Sequence, residues 1–230
     1  MDEYLRRNPL VFVDDLGLPQ VTEHDWRHLT RSLRLRPGAP IALGDGAGTW
    51  RPATITVDGI EVDGDVGGDC RHDPPRAGTT MVAFSPVKGD RTEWVVQKLT
   101  ELGVDRIVVI ETERSVVRWD QKRRTQKMAK LGAVAREAAM QCRSLWLPQI
   151  DGPLPLIDLQ ADGAGQWVMA EPGSHRLVTS DDRQIIIGPE GGFTPAELAG
   201  YDTVALPGNI LRAETAALAA ATVMVSGRFS

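Results

Sequence analysis

Apolar residues change their spacing along this chain. Up to about residue 73 they come in short runs, Leu10 to Val13, Pro40 to Leu43, Thr54 to Val57 and Ile60 to Val62, broken by glycine and proline. Such runs predict the strands of a small β-barrel. Gly44 to Gly48 leads into Thr49, Trp50 and Arg51, which continue as a strand, so it predicts a hairpin turn rather than a nucleotide loop. Asp73 to Gly78 has the composition of a linker. Beyond it strands and helices alternate. Strands are predicted at Thr79 to Phe84, Arg106 to Ile110, Trp167 to Ala170, Gln184 to Ile187 and Thr203 to Leu206. One helix is predicted over Arg91 to Leu102, with Trp94, Val95, Leu99 and Leu102 on its apolar face and a stop at Gly103; a long basic helix runs from about Asp120 to Cys142. In the last helix Leu211, Thr215, Leu218, Thr222 and Val225 keep helical spacing, and alanines fill most other positions, so another helix can pack closely. The pattern predicts two domains, 1–73 and 79–230, the second of α/β class.

Two glycine-rich turns follow neighbouring strands near the end, Gly188-Pro189-Glu190-Gly191-Gly192 and Pro207-Gly208-Asn209-Ile210-Leu211-Arg212. Both therefore lie at carboxyl ends of strands, where open α/β sheets bind ligands. Gly188, Gly191 and Gly192 are expected to supply unusual backbone angles and close approach, while Thr194, Pro195 and Glu197 fit a capping box with proline at the first helical position. No Lys-Ser or Lys-Thr follows the glycines and there is no G-x-G-x-x-G, which disfavours a triphosphate or dinucleotide. Glu190 adds to this, since a carboxylate about 4 Å from a phosphate is repelled by roughly 4 kcal/mol at a partly exposed site. A cationic or neutral ligand fits better. Arg212 and Glu214 bring charge to the start of an otherwise apolar helix. They point into the site or toward a partner subunit, or form a salt bridge.

With 230 residues, 42% of them hydrophobic and 25% charged, the chain can bury a sizeable core. Charged residues crowd its start and no stretch is long enough to span a bilayer, so no signal peptide, no membrane and a cytoplasmic location are expected. Cys70, Cys142 and four histidines lack metal-ligand spacing, so no metal is expected. The net charge of −5 argues weakly against nucleic acid, but Arg118 to Arg143 holds eight basic residues against two acidic ones. Arg123, Lys127 and Lys130 share a helical face; Arg27, Arg31, Arg34 and Arg36 form a second basic group.

Together IIIGPEGGFTPAEL and LPGNILRAETAAL resemble the cofactor-binding motifs of the SPOUT-type knotted methyltransferases that use S-adenosyl-L-methionine. They resemble more narrowly the family that methylates N3 of a uridine in 16S ribosomal RNA. The likeness extends to Lys88–Val116, Arg136–Pro148 and His28–Gly48. One departure is Ser144 where many members carry arginine, with Arg143 one place earlier. The resemblance implies a PUA-like RNA-binding barrel followed by an α/β methyltransferase domain with a C-terminal trefoil knot, working as a homodimer on 16S rRNA of the small ribosomal subunit. It implies a donor held by backbone at Gly188 to Gly192, at Leu206, Gly208, Ile210 and Leu211, and at Glu171 and Pro172. Arg212, Glu190 and Glu214 become the candidate catalytic groups, with Lys88, Arg91, Arg118, Lys127, Lys130 and Arg143 added to the candidate RNA contacts. Lys98 either joins them or pairs with Glu101. Other acceptors, transfer RNA or another ribosomal position, and an RNA-binding protein without catalysis remain open at this point.

Overall fold

The computed structural model describes residues 2–62, 70–161 and 166–228. It divides into two units, Met1–Pro75 with Arg136–Leu147, and Arg76–Ala135 with Pro148–Ser230. Residues 136–147, which the sequence pattern places in the second domain, thus belong to the first unit. Packing explains this, because Ala139, Met140 and Leu145 share one buried cluster with Leu10, Phe12, Ile41, Leu43, Trp50 and Ile55. Arg136 reinforces it, donating to the Asp25 carboxylate at 2.9 Å and to the Phe12 carbonyl at 2.7 Å.

In the first unit β1 (Leu10–Phe12), β2 (Pro40–Gly44), β3 (Thr49–Ile55) and β4 (Ile60–Val62) lie in that order, with β5 (Arg71–His72) on β3. The β1–β2 pair is parallel and the others are antiparallel. The expected hairpin turn is present, the Asp45 carboxylate accepting from the backbone of Ala47 and Thr49. Two short helices, α1 (Glu3–Arg7) and α2 (Glu23–Arg27), interrupt what the apolar runs present as strands alone, and α2 continues as a π-helical turn over His28–Ser32.

The second unit alternates β6 (Met81–Phe84), α3 (Arg91–Leu102), β7 (Arg106–Glu111), α4 (Gln121–Cys142), β8 (Gln149–Pro155), α5 (Leu156–Ala161), β9 (Val168–Ala170), β10 (Gln184–Ile187), α6 (Pro195–Leu198), β11 (Asp202–Val204) and α7 (Ala213–Ser226). Its six strands are all parallel in the order β11-β9-β10-β6-β7-β8. Both faces are covered, as a parallel sheet requires. Val82, Phe84, Ile107, Val109, Ile185 and Ile187 pack with α3, α7 and the first part of α4, while Ala83, Val108, Ile110, Met169 and Ile186 pack with α5 and Phe193. β8 was not legible as a strand because Gly152 and two prolines break its run; it survives at the sheet edge, where proline is tolerated. No helix among the described residues is long and apolar enough to cross a membrane.

Two helix faces differ from expectation. Trp94 is 41% exposed, whereas Val95, Val96 and Leu99 are buried. In α7 the buried residues are Ala213, Glu214, Ala216, Ala217, Ala220, Ala221, Met224 and, as expected, Val225, while Thr215 and Thr222 face outward. The alanines let α7 settle closely on α3, β6 and β10. Leucine and valine mark the apolar stripe of an ordinary helix; here close approach selects the smaller residues.

On α4, Lys127 and Lys130 both reach Glu93 Oε1, at 2.9 and 3.0 Å. Burial pushes the Glu93 carboxyl upward, but the two ammonium groups outweigh it and hold it below its ordinary value of 4.5. A depressed carboxyl stabilises the fold above that value and loses its contribution as pH falls through the lower, native one. The gap in thermal midpoint between the unaltered protein and Glu93→Gln is therefore expected at neutral pH and should narrow below pH 4.5; a pH-independent gap in calorimetry would contradict this. Ala220→Leu, at a fully buried position, should destabilise by about 1–3 kcal/mol in urea unfolding.

Candidate active site

Because β10, β9 and β11 are neighbours and parallel, their carboxyl ends stand side by side. The segments that follow enclose a cavity of about 770 Å³ lined by Glu171, Pro172 and Gly173, by Gly188, Pro189, Glu190 and Gly192, and by Ala205 to Leu211. All expected donor-site residues except Gly191 line it. Leu177, Ile187, Phe193, Ala213 and Ala216 also line it, and the sequence reading missed them. Leu177 belongs to a stretch that bridges to the β11 exit, with Val178 N donating to Ala205 O and Ala205 N to Arg176 O. No regular element announces that wall. Among the lining residues are two carboxylates, Glu171 and Glu190, and no lysine, arginine or histidine.

Of the three glycines in the first turn, Gly192 alone has positive φ, +67°. Gly188 is required for space instead, since a Cβ there would stand 2.8 Å from the Phe193 ring. Gly191 needs neither; its backbone is ordinary and it faces Arg114. The capping box is present: Glu197 N donates to Thr194 Oγ1 and Thr194 N to Glu197 Oε2. In the second turn Gly208 has φ +104°.

The three candidate catalytic groups differ in environment. Glu214 is only 8% exposed and accepts from Arg91 Nη1 at 2.9 Å. Burial raises its carboxyl, yet its own backbone N–H, Arg91 and the nearby Arg212 together hold it below the ordinary carboxylate range. Arg91 in turn is raised, chiefly by its hydrogen bond to Glu214. It also lies 3.6 Å from Glu190, an ion pair too long for a hydrogen bond. Arg91, expected on a phosphate, thus links two of the candidate carboxylates. Arg212 occupies the N-cap position of α7 and is exposed.

The remaining basic candidates are scattered. Arg118 donates to the carbonyls of Thr112 and Glu113, and Arg123 lies 3.6 Å from Asp120. Arg143 has φ +61° and donates to the Met140 and Gln141 carbonyls, which closes the end of α4. Lys98 pairs with Glu101 at 2.7 Å. In the first unit Arg27 pairs with Glu23 at 3.4 Å, while Arg31, Arg34 and Arg36 are exposed, as is Lys88 in the second.

Comparison with known proteins bears on this arrangement. Residues 74–225 match the RNA methyltransferase domain family, and residues 21–66 match the RNA methyltransferase PUA domain. The chain is 33% identical over 235 residues to a Mycobacterium bovis protein named ribosomal RNA small subunit methyltransferase E, covering 92% of this chain and 88% of that one. A crystal structure of a "probable rRNA-methyltransferase" from Porphyromonas gingivalis superposes with a TM-score of 0.78 at 29% identity, covering 96% of this chain and 98% of the other. Ribosomal RNA small subunit methyltransferase E of Neisseria gonorrhoeae, crystallised with S-adenosyl methionine, shares the fold at TM-score 0.75 and 24% identity over 95% and 97% of the two chains. A parallel sheet whose strand ends enclose a cavity lined by two carboxylates, and a PUA domain ahead of it, are thus explained together: the chain belongs to the RNA methyltransferase family.

Proposed function

We propose that this protein transfers a methyl group from S-adenosyl-L-methionine to N3 of a uridine in 16S ribosomal RNA of the small ribosomal subunit. The observation that carries this reading is the cavity at the ends of β9, β10 and β11, with two carboxylates and no basic side chain in its lining. Such a lining repels phosphate and favours a cation. Its size lies within the usual range for small-molecule sites, and its walls at Leu177, Ile187, Phe193, Leu206 and Leu211 suit a flat apolar group. Backbone groups of Gly188 to Gly192 and of Leu206 to Leu211, with Glu171 and Pro172, would hold the donor, which supplies an electrophilic methyl on a sulfonium.

Uracil N3 bears a proton and is a poor nucleophile until that proton leaves. Arg212, exposed at the start of α7, stabilises the negative charge that then spreads onto O2 and O4. Glu190 lines the cavity and accepts the proton, directly or through water. Glu214 is a weaker base, since Arg91 and its own backbone stabilise its ionised form; it orients Arg91 and Arg212 instead. N3 lies on the pairing edge, so the acceptor base must be unpaired or turned out of its helix. Arg27, Arg31, Arg34 and Arg36 on the first unit are the leading phosphate contacts. A second copy of this chain covers Thr215 and Thr222 on α7 and Ile210, which is 86% exposed. A cytoplasmic location follows from the substrate.

Calorimetry with S-adenosyl-L-methionine is expected to show binding; no heat would leave an RNA-binding protein without catalysis. Incubation with labelled donor should place label in unmodified small subunits, and label confined to transfer RNA would overturn the acceptor. Arg212→Ala should lower kcat about 100-fold or more while RNA affinity stays within about threefold. Unchanged turnover would remove Arg212 from the mechanism.

A further inference from the structure

The loop Thr112 to Arg118, which follows β7, grips the donor turn through a residue with no part in the proposed chemistry. Arg114 Nη1 donates to the carbonyl oxygens of Gly191 at 3.0 Å and Phe193 at 3.1 Å. Arg114 also faces Gly191 at van der Waals distance, since a Cβ on Gly191 would stand 3.4 Å from the Arg114 Cβ. Beside it, Glu113 N donates to Glu197 Oε1 at 2.8 Å, and the other oxygen of that carboxylate accepts from Thr194 N at 2.8 Å. The base of the loop is anchored as well. Ser115 Oγ lies 2.9 Å from Thr112 Oγ1 and 3.0 Å from Ser85 Oγ, all three residues being buried, and Ser85 N donates to Ile187 O immediately before the turn.

A turn with two successive glycines has many backbone states open to it. A ligand that binds one of them loses affinity in proportion to the fraction of time that state is absent. A planar guanidinium whose nitrogen joins two carbonyls across the turn restricts those states, and the anchorage of its loop through the buried hydroxyls of Thr112, Ser115 and Ser85 makes the restraint stiff. Arg114 does not line the cavity, so it acts on the ligand through the turn.

We propose that Arg114 is a positioning residue for the donor site: it holds the Gly188–Phe193 turn in the conformation that binds the methyl donor, without touching the donor. This rests on the reading of the cavity as the S-adenosyl-L-methionine site. Its test is calorimetric titration of S-adenosyl-L-methionine into the full-length protein and into Arg114→Ala and Arg114→Lys, with hydrogen exchange at the turn amides. Arg114 is exposed, so both variants should fold. Arg114→Ala should raise Kd about tenfold, with Arg114→Lys between it and the unaltered protein, and the amides of 188–193 should exchange faster without donor. At saturating donor kcat should stay within about threefold, placing the loss in KM. An unchanged Kd, unchanged exchange at the turn, or a fall in kcat at constant Kd would each overturn the proposal. No binding by the unaltered protein would overturn the donor reading itself, a result distinct from equal binding by all three proteins.

Discussion

Parallel pairing of β9 with β10 on one side and β11 on the other is the constraint from which the site follows. Antiparallel neighbours would send successive exits to opposite edges of the sheet. Here Ala170, Ile187 and Val204 deliver the chain to the same edge, and three separate segments become walls of one cavity. The pairing itself depends on apolar cover. Ile185 and Ile187 are sealed by the α7 side and Ile186 by the α5 side, so slipping β10 by one residue would exchange its two faces. Alanines on α7 matter for the same reason, since a bulkier helix would stand off from β10 and β6 and loosen the floor beneath both turns.

Charge is distributed around the cavity in a graded way. Glu214 is nearly buried and bound by Arg91; Glu190 is largely exposed and only distantly paired with it; Arg212 is exposed at the helix start. A buried carboxylate would be costly alone, and the backbone N–H of Glu214 together with Arg91 and Arg212 offsets that cost. The same pair engages Arg91 and Glu214 with each other, whereas Glu190 and Arg212 keep most of their surface exposed.

Much of this was legible in the sequence, for identifiable reasons. The strand at β10 with its three successive isoleucines, the stop of α3 at Gly103 and the capping box at Thr194 are local signals, and each appears as expected. The convergence of the two glycine turns was legible because each follows a short apolar run. What failed was non-local. Nothing in residues 136–147 tells that Ala139, Met140 and Leu145 are needed by a sheet whose last strand ends more than sixty residues earlier in the chain. Leu177 lies in no periodic segment, and Arg114 reads as one more surface arginine until the backbone carbonyls it holds are seen. The pairing of Arg91 was hidden for a similar reason, because its partner Glu214 is 123 residues away.

The basic stretch from Arg118 to Arg143 is largely partnered within the fold. Its excess of positive charge is answered by acids from elsewhere: Glu93 takes Lys127 and Lys130, Glu111 takes Arg124 and Asp25 takes Arg136. Arg118 and Arg143 are spent on backbone carbonyls, and Arg123 stands beside Asp120. Guanidinium groups with five fixed donors satisfy such partners readily, and once satisfied they have less to offer a phosphate. Exposed arginines without such partners among the described residues, Arg31, Arg34 and Arg36, lie instead in the unit that matches the PUA domain, although its surroundings in sequence are acidic. Electrostatic attraction for RNA depends on where charge is left over after folding, and most of the arginines of the larger cluster are already engaged within the fold.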